Sequence, residues 1–254
     1  LSGAALATLF VVAGHVAQAQ DKGPKKEPIV TDRPDFTEAS TVVGKGVIQF
    51  EGGFTYSADR GGSSSLSGPE ALFRFGVSDR LEWRLALPDF NWGWGGGGVL
   101  ARGFGDTYAG AKIQLGPTRG GIDVAIIPAV FISTGQRSFT SRGIDPEIKL
   151  VASKELSEKH ALSGMLYFSN PTEPGRRNFT TQATLSLGTS LTDKMAFFVE
   201  YAGTFPQYGR SSAILHTGVT YQLTHNLQFD IHGGVGAGQQ SPHSFIAGGL
   251  AVRY

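Results

Sequence analysis

The chain contains no cysteine. That excludes disulfides, thiolate metal sites and cysteine nucleophiles, and it is compatible with an oxidising compartment without requiring one. Charge is scarce too. Asp, Glu, Lys and Arg make up 17% of the 254 residues, against roughly 25% in a typical soluble domain. The net charge is +1 and no cluster of Lys and Arg is interleaved with aromatics, so nucleic-acid binding has no electrostatic footprint. Beyond the first twenty or so residues there is no long apolar run, and a mean hydropathy of −0.07 argues against a bundle of membrane helices. What the chain has in excess is glycine, 36 residues with no triplet period, together with aromatics at 11%.

The N-terminus is organised differently from the rest. Ala4 to Val16 are small and apolar, interrupted by His15, and Ala17-Gln18-Ala19 places small residues where a signal peptidase reads them. Residues 1–19 are therefore expected to be an export signal cut after Ala19, too short and too interrupted to span a membrane. The chain opens on Leu1 without a basic lead, so a few preceding residues are expected to be missing. A polar lead follows, residues 20–45, and then residues 46–254.

In this last part a period-two alternation recurs in segments of about ten residues, which is the signature of a membrane β-barrel. From Ile48, the residues Phe50, Phe54 and Tyr56 fall on one face and Gln49, Glu51 and Thr55 on the other. The same split appears eleven more times. Examples are Leu81, Trp83, Leu85 and Leu87; Met195, Phe197, Val199 and Tyr201; and Ile246, Leu250, Val252 and Tyr254. The apolar faces carry no charge. Opposite them stand Glu70, Arg74, Glu82, Arg84, Lys112, Asp123, Asp145, Glu147, Lys149, Glu200 and Asp230. A soluble sandwich would alternate as well, but the connections argue for a barrel. They are short after even-numbered strands, as at Ser78-Asp79-Arg80 and Thr224-His225-Asn226, and mostly longer after odd-numbered ones, matching periplasmic turns and external loops. The reading is an all-β, single antiparallel transmembrane barrel of about twelve strands in the outer membrane. Its partners would be outer-membrane lipid and, through the terminal strand ending on Tyr254, the assembly machinery of that membrane.

The stretch Ile29-Val30-Thr31-Asp32-Arg33-Pro34-Asp35-Phe36-Thr37-Glu38 resembles a family of outer-membrane proteins named for the MetA pathway of phenol degradation. Phe75-Gly76-Val77-Ser78-Asp79-Arg80-Leu81-Glu82, Gly105-Asp106, Gly110-Ala111-Lys112 and the terminal strand also match it. The resemblance implies an exported, transporter-like barrel linked by name to the breakdown of aromatic compounds. It supplies no substrate.

Twelve strands enclose a lumen between the filled eight-stranded barrels and the wide porins. The expected function is a channel passing small solutes, aromatic or hydrophobic compounds among them, by passive diffusion. Alternatives are a structural or adhesive barrel, with Asn91-Trp92-Gly93-Trp94 as an exposed aromatic loop, and a barrel-borne lipid hydrolase. The hydrolase lacks an outward Ser, His and carboxylate set, because His216 and His232 fall on the inward face. No catalytic residue, cofactor or metal is assigned, although His216, His232 and Asp230 would be neighbours if the hairpin turns about His225. Mixed charge in the lumen predicts weak ion selectivity.

The lead from Asp21 to Lys45 is too polar for lipid and too short for its own core. Pro28 and Pro34 hold it extended, and Asp32, Arg33, Asp35 and Glu38 could pair with inward Arg74, Arg84, Glu82 or Glu147. Thr31 to Glu38 is expected to fold into the periplasmic mouth as a plug.

Overall fold

A computed structural model describes residues 27–237 and 241–254. The expected export signal and the first part of the lead lie outside these. The strands are β1 (Ile48–Ala58), β2 (Ser64–Gly68), β3 (Leu72–Ser78), β4 (Leu81–Ala86), β5 (Phe90–Gly95), β6 (Gly98–Phe104), β7 (Thr107–Gln114), β8 (Asp123–Ile132) and β9 (Ile144–Glu155). They continue as β10 (His160–Ser169), β11 (Thr172–Glu173), β12 (Arg176–Arg177), β13 (Thr180–Ser190), β14 (Met195–Pro206), β15 (Ser212–Thr224), β16 (Leu227–Ala237) and β17 (Ser244–Arg253). Neighbours pair antiparallel from β17 down to β1, and β1 pairs with β17, closing a 12-strand barrel that leaves the main wall no free edge.

Three wall strands are interrupted at one level. β2 and β3 are a single course broken at Pro69-Glu70-Ala71, β4 and β5 are broken at Leu87-Pro88-Asp89, and β6 and β7 at Gly105-Asp106. Proline supplies no N–H to a ladder, so breaks belong at Pro69 and Pro88. Bonds from Leu87 N to Ala71 O and from Gly105 N to Asp89 O, both 2.9 Å, carry the sheet across them. Beyond the breaks, β2 pairs with β1 and β5, and β5 with β6. Asn91 to Trp94 is thus strand β5 and not an exposed loop, which corrects the sequence reading and removes the loop on which adhesion was to rest. Glycine-rich composition hid these extensions, because pattern reading takes Gly and Ser clusters as turns.

The outward apolar face is as expected. Trp83, Leu185, Leu215 and Ile231 are all more than half exposed, which in water would be an aggregation hazard and in lipid is the stable arrangement. Two strand charges depart from the rule that every charge points inward. Lys154, at the short-turn end of β9, shares the outward face with Leu150, and Arg102 on β6 is paired beside Trp92. Both lie near the ends of the barrel wall, where a charge costs little. One part of the inward face is apolar: Ile127, Val151 and Met165, on β8, β9 and β10, pack together against Tyr167.

Residues 29–43 run inside the barrel. Ile29 N donates to His225 O in the β15–β16 turn, and the segment comes back to the same end, where Val43 N donates to Glu82. It then swings into β1 through Gly44 and Gly46, at φ +88° and +77°, a left-handed backbone that glycine adopts without strain.

Candidate functional site in the barrel lumen

The inward face of a small barrel must be filled or solvated, and here ionisable groups fill it. Four cations stand on one part of the wall: Arg74 on β3, Arg84 on β4, Lys112 on β7 and Lys149 on β9. The first three are essentially buried, so each needs a partner. Arg74 is paired with Glu82 at 2.8 Å and with Glu51 at 2.9 Å. Arg84 meets Asp32 at 2.6 Å and Glu38 at 2.8 Å, while Lys112 meets Asp32 at 2.7 Å. Lys149 holds Glu38 at 2.6 Å and Glu147 at 3.3 Å, and Tyr167 donates to Glu147 at 2.7 Å. Asp32 and Glu38 come from the lead segment, so the segment completes the neutralisation of this wall.

The other part of the wall is acidic. Arg33 reaches it, pairing with Asp230 on β16 at 3.0 Å and with Glu70 at 2.6 Å. Glu200 on β14 accepts from the backbone N–H groups of Phe36 and Thr37, at 2.8 and 2.7 Å, and from the Thr37 hydroxyl. Glu51 accepts from Asp32 N and Arg33 N, both at 2.9 Å. Ser186 donates to Asp35 at 2.6 Å. The backbone donors of Asp32, Arg33, Phe36, Thr37 and Val43 are thus met by wall carboxylates, which offsets much of the cost of laying an irregular chain inside a barrel.

His216 and His232 do meet. Nε2 of His216 is 2.7 Å from Nδ1 of His232, His216 Nδ1 is 2.8 Å from Glu200, and His232 Nε2 is 3.3 Å from Arg33 Nη2. One proton placement satisfies all three contacts with both rings neutral: Arg33 donates to His232, His232 to His216, and His216 to Glu200. With the nitrogens so engaged the rings act as linkers, and among the described residues no group of three or more His, Asp and Glu is placed to hold a metal ion. Phe36 packs on His216 with ring centroids 4.6 Å apart. These histidines face the lumen and contribute nothing to a lipid-facing hydrolase.

Two carboxyl groups of the segment are shifted in opposite directions. Burial works to raise Asp32, but the attraction of Arg74, Arg84 and Lys112 outweighs it and holds the group well below the usual carboxylate range. Asp35 has no cation to offset burial, and with Glu200 and Asp230 nearby it is pushed up to about 7 despite the Ser186 bond.

The pairing expected from sequence holds for Asp32 with Arg74 and Arg84, and for Glu38 with Arg84. Arg33 goes instead to Asp230 and Glu70, and Glu147 is taken by Lys149 and Tyr167. Glu51, Gln49, Thr184 and Ser186 were not singled out as site residues, although each lies at an inward position of the alternation. Their signal was there in the period, not in any motif.

The segment divides the lumen. On the long-turn side, a cavity of about 370 Å³ is lined by Glu38, Arg84, Tyr108, Phe131 and Lys149 among others, and a second, of about 330 Å³, by Arg33, Asp35, Phe36, His232 and Phe245. On the short-turn side, a cavity of about 330 Å³ is lined by Asp32, Thr37, Ser40, Asp123 and Ser163.

Residues 31–254 match the sequence profile of the family described as Putative MetA-pathway of phenol degradation. The match begins inside the lead and runs through the terminal strand. The chain belongs to this family. No curated protein matches it by sequence. Among solved structures it is similar to an outer membrane channel from Pseudomonas putida F1, at 12% identity and a TM-score of 0.63, over 85% of this chain and 98% of that one. It is also similar to the NanC porin, at 8% identity and TM-score 0.54 over 82% and 98% of the two chains, and to the KdgM porin, at 8% and 0.51 over 81% and 98%. At such identities the likeness is one of fold, and the fold is that of outer-membrane barrels.

Proposed function

We propose that the chain is an outer-membrane channel for small solutes, closed in this conformation by residues 29–43 acting as a plug, and that solutes diffuse through when the plug shifts. The observation that carries this reading is the division of the lumen into cavities on either side of a segment tied to wall groups on both the basic and the acidic parts of the barrel. A purely structural barrel has no need of cavities whose floors are formed by a removable element. The channel and porin character of the structural neighbours supports the same reading. The apolar lining of the long-turn-side cavity, Leu72, Ala86 and Phe131, favours solutes with an apolar or aromatic body over fully hydrated ions.

Residues 1–19 would direct export and be removed, and the outward Leu250, Val252 and Tyr254 would present the terminal strand to the assembly machinery. The deciding experiment is single-channel recording in planar bilayers of the mature chain and of a variant lacking residues 29–38. Higher conductance in the folded deletion variant is expected. Unchanged conductance and selectivity, with the barrel folded by heat-modifiable gel migration, reject the plug and leave the segment a tether.

A further inference from the structure

Among the described residues, the buried side-chain atoms left without a hydrogen-bond partner are Glu38 Oε2, Arg84 Nε, the Tyr108 hydroxyl and Glu147 Oε1. They are not scattered, since all four belong to the cluster around Lys149. The two acceptors are compensated by ion pairs, Glu38 Oε2 lying 2.8 Å from Arg84 and Glu147 Oε1 lying 3.3 Å from Lys149. Of the two donors, Arg84 is ion-paired through its terminal nitrogens to Asp32, Glu38 and Glu82, but its Nε, like the Tyr108 hydroxyl, meets no acceptor. Arg84 and Tyr108 are both at least nine-tenths buried, and an unmet donor in that setting is costly.

Arg84 and Tyr108 line the cavity of about 370 Å³ on the long-turn side, together with Lys149 and Glu38. Its apolar walls are Leu72, Ala86, Leu87 and Phe131. Its other carboxylates are already committed. Asp106 accepts from Gly135 N and Ser141 N, Glu70 from Arg33 and Thr55, and Asp89 from Glu70 N. What Arg84 Nε and the Tyr108 hydroxyl lack is an acceptor oxygen, and they lack it beside the cations Arg84 and Lys149.

We propose that this cavity binds a small organic carboxylate with an apolar body, its oxygens accepting from Arg84 Nε and the Tyr108 hydroxyl and its body lying against Leu72, Ala86 and Phe131. The inference rests on the channel reading, because the ligand must enter the barrel to reach the site. The charge of the site selects the class: an alcohol or amide could meet the donors but would gain little from Arg84 and Lys149, whereas a carboxylate gains from both. Glu38 already offers those cations a carboxylate, so the ligand competes with it. Exchanging one carboxylate for another leaves the net charge of the site unchanged, which avoids burying an unpaired ion.

The test is isothermal calorimetry on the full mature chain, refolded in detergent micelles, with benzoate as the probe and benzamide as its neutral counterpart of the same shape. Benzoate should bind saturably and benzamide at least tenfold more weakly. Tyr108→Phe removes only an unpartnered hydroxyl, keeps the fold by heat-modifiable migration, and should weaken benzoate at least tenfold. Glu38→Gln, which withdraws the competing charge, should tighten it about tenfold. Equal binding of the two probes, unchanged affinity in Tyr108→Phe, or no saturable benzoate signal overturns the proposal. Binding is read in micelles, without passage. Absent benzoate binding alongside a conductance rise in the 29–38 deletion therefore rejects this site alone, and the opposite pair of results rejects the plug alone.

Discussion

Arg33 grips Asp230 with two prongs of its guanidinium fork, Nε donating to Oδ2 at 3.1 Å and Nη2 to Oδ1 at 3.0 Å, across 197 residues of sequence. A paired fork of this kind is geometrically specific, and it fixes the segment at its junction with the acidic wall. Breaking one partner of a buried pair costs about 3 to 5 kcal/mol because the other charge is left uncompensated, whereas removing both costs far less. Arg33→Ala is therefore expected to raise conductance and lower thermal stability. Arg33→Ala combined with Asp230→Asn should recover the part of the stability that the Asp230 pair carries, Glu70 still lacking its cation, while the conductance stays raised. A double mutant as unstable as Arg33→Ala alone would show that the fork is not what binds the two.

The face assignment is tested at neighbouring residues. Leu85→Arg places a charge against lipid, at about 2 to 4 kcal/mol near the midplane, and should abolish most heat-modifiable folded barrel. Arg84→Leu should still insert. It is not a silent change, however, because it strips Asp32 and Glu38 of a shared cation, so its folded barrel should conduct more than wild type. Equal loss of folded barrel from both substitutions contradicts the assignment.

Docking of the segment should depend on pH through Asp35. Its carboxyl is pushed up to about 7 when docked, against an ordinary value of about 4 when free. A raised value means that the docked state holds a proton that the free state releases. The stabilisation is therefore complete below about pH 4 and lost as pH rises towards 7. Conductance of the wild-type channel should climb over that window, and Asp35→Asn should flatten the climb. A wild-type profile that falls with rising pH would reverse the sign and defeat the argument.

Gly76 on β3 lies where the segment turns into β1. Its N–H donates to Val47 O and its C=O accepts from Gly46 N, both at 2.8 Å, and a Cβ at Gly76 would fall on the Gly44 carbonyl oxygen. Gly76→Ala should leave the barrel folded but displace this corner, giving faster proteolysis at residues 40–46 than in wild type. Gly188→Ala, where a Cβ meets only ordinary contact with Ala161 O, is the control and should change nothing.

The twelve strands and their faces were legible in the sequence because lipid on one side and polar groups on the other impose the strict period of Phe50, Phe54 and Tyr56 against Gln49, Glu51 and Thr55. The breaks at Pro69, Pro88 and Gly105 were not. A proline within a glycine-rich stretch reads equally as the end of a strand or as a kink within one, and only the pairing of Gly68 with Phe90 distinguishes the two. The partners of Asp32 and Glu38 could be guessed from the sign of charge. That Arg33 goes to Asp230 and not to Glu82 depends on which way the segment crosses the lumen, a three-dimensional fact that no local pattern encodes. Tyr108 stood out by no motif, because an unmet hydroxyl is visible only once its surroundings are built.

The segment goes in and comes out by the same mouth, from His225 at one end to Gly76 at the other, and β1 follows it directly into the closed wall. It is therefore a cork on a short string and not a thread through a needle. Nothing in this geometry requires the barrel seam between β1 and β17 to open for residues 29–43 to leave, or to form around them on the way in. The cylinder can be finished first and the segment seated afterwards, and in the opening proposed above the segment would stay tethered to the strand that seals the wall.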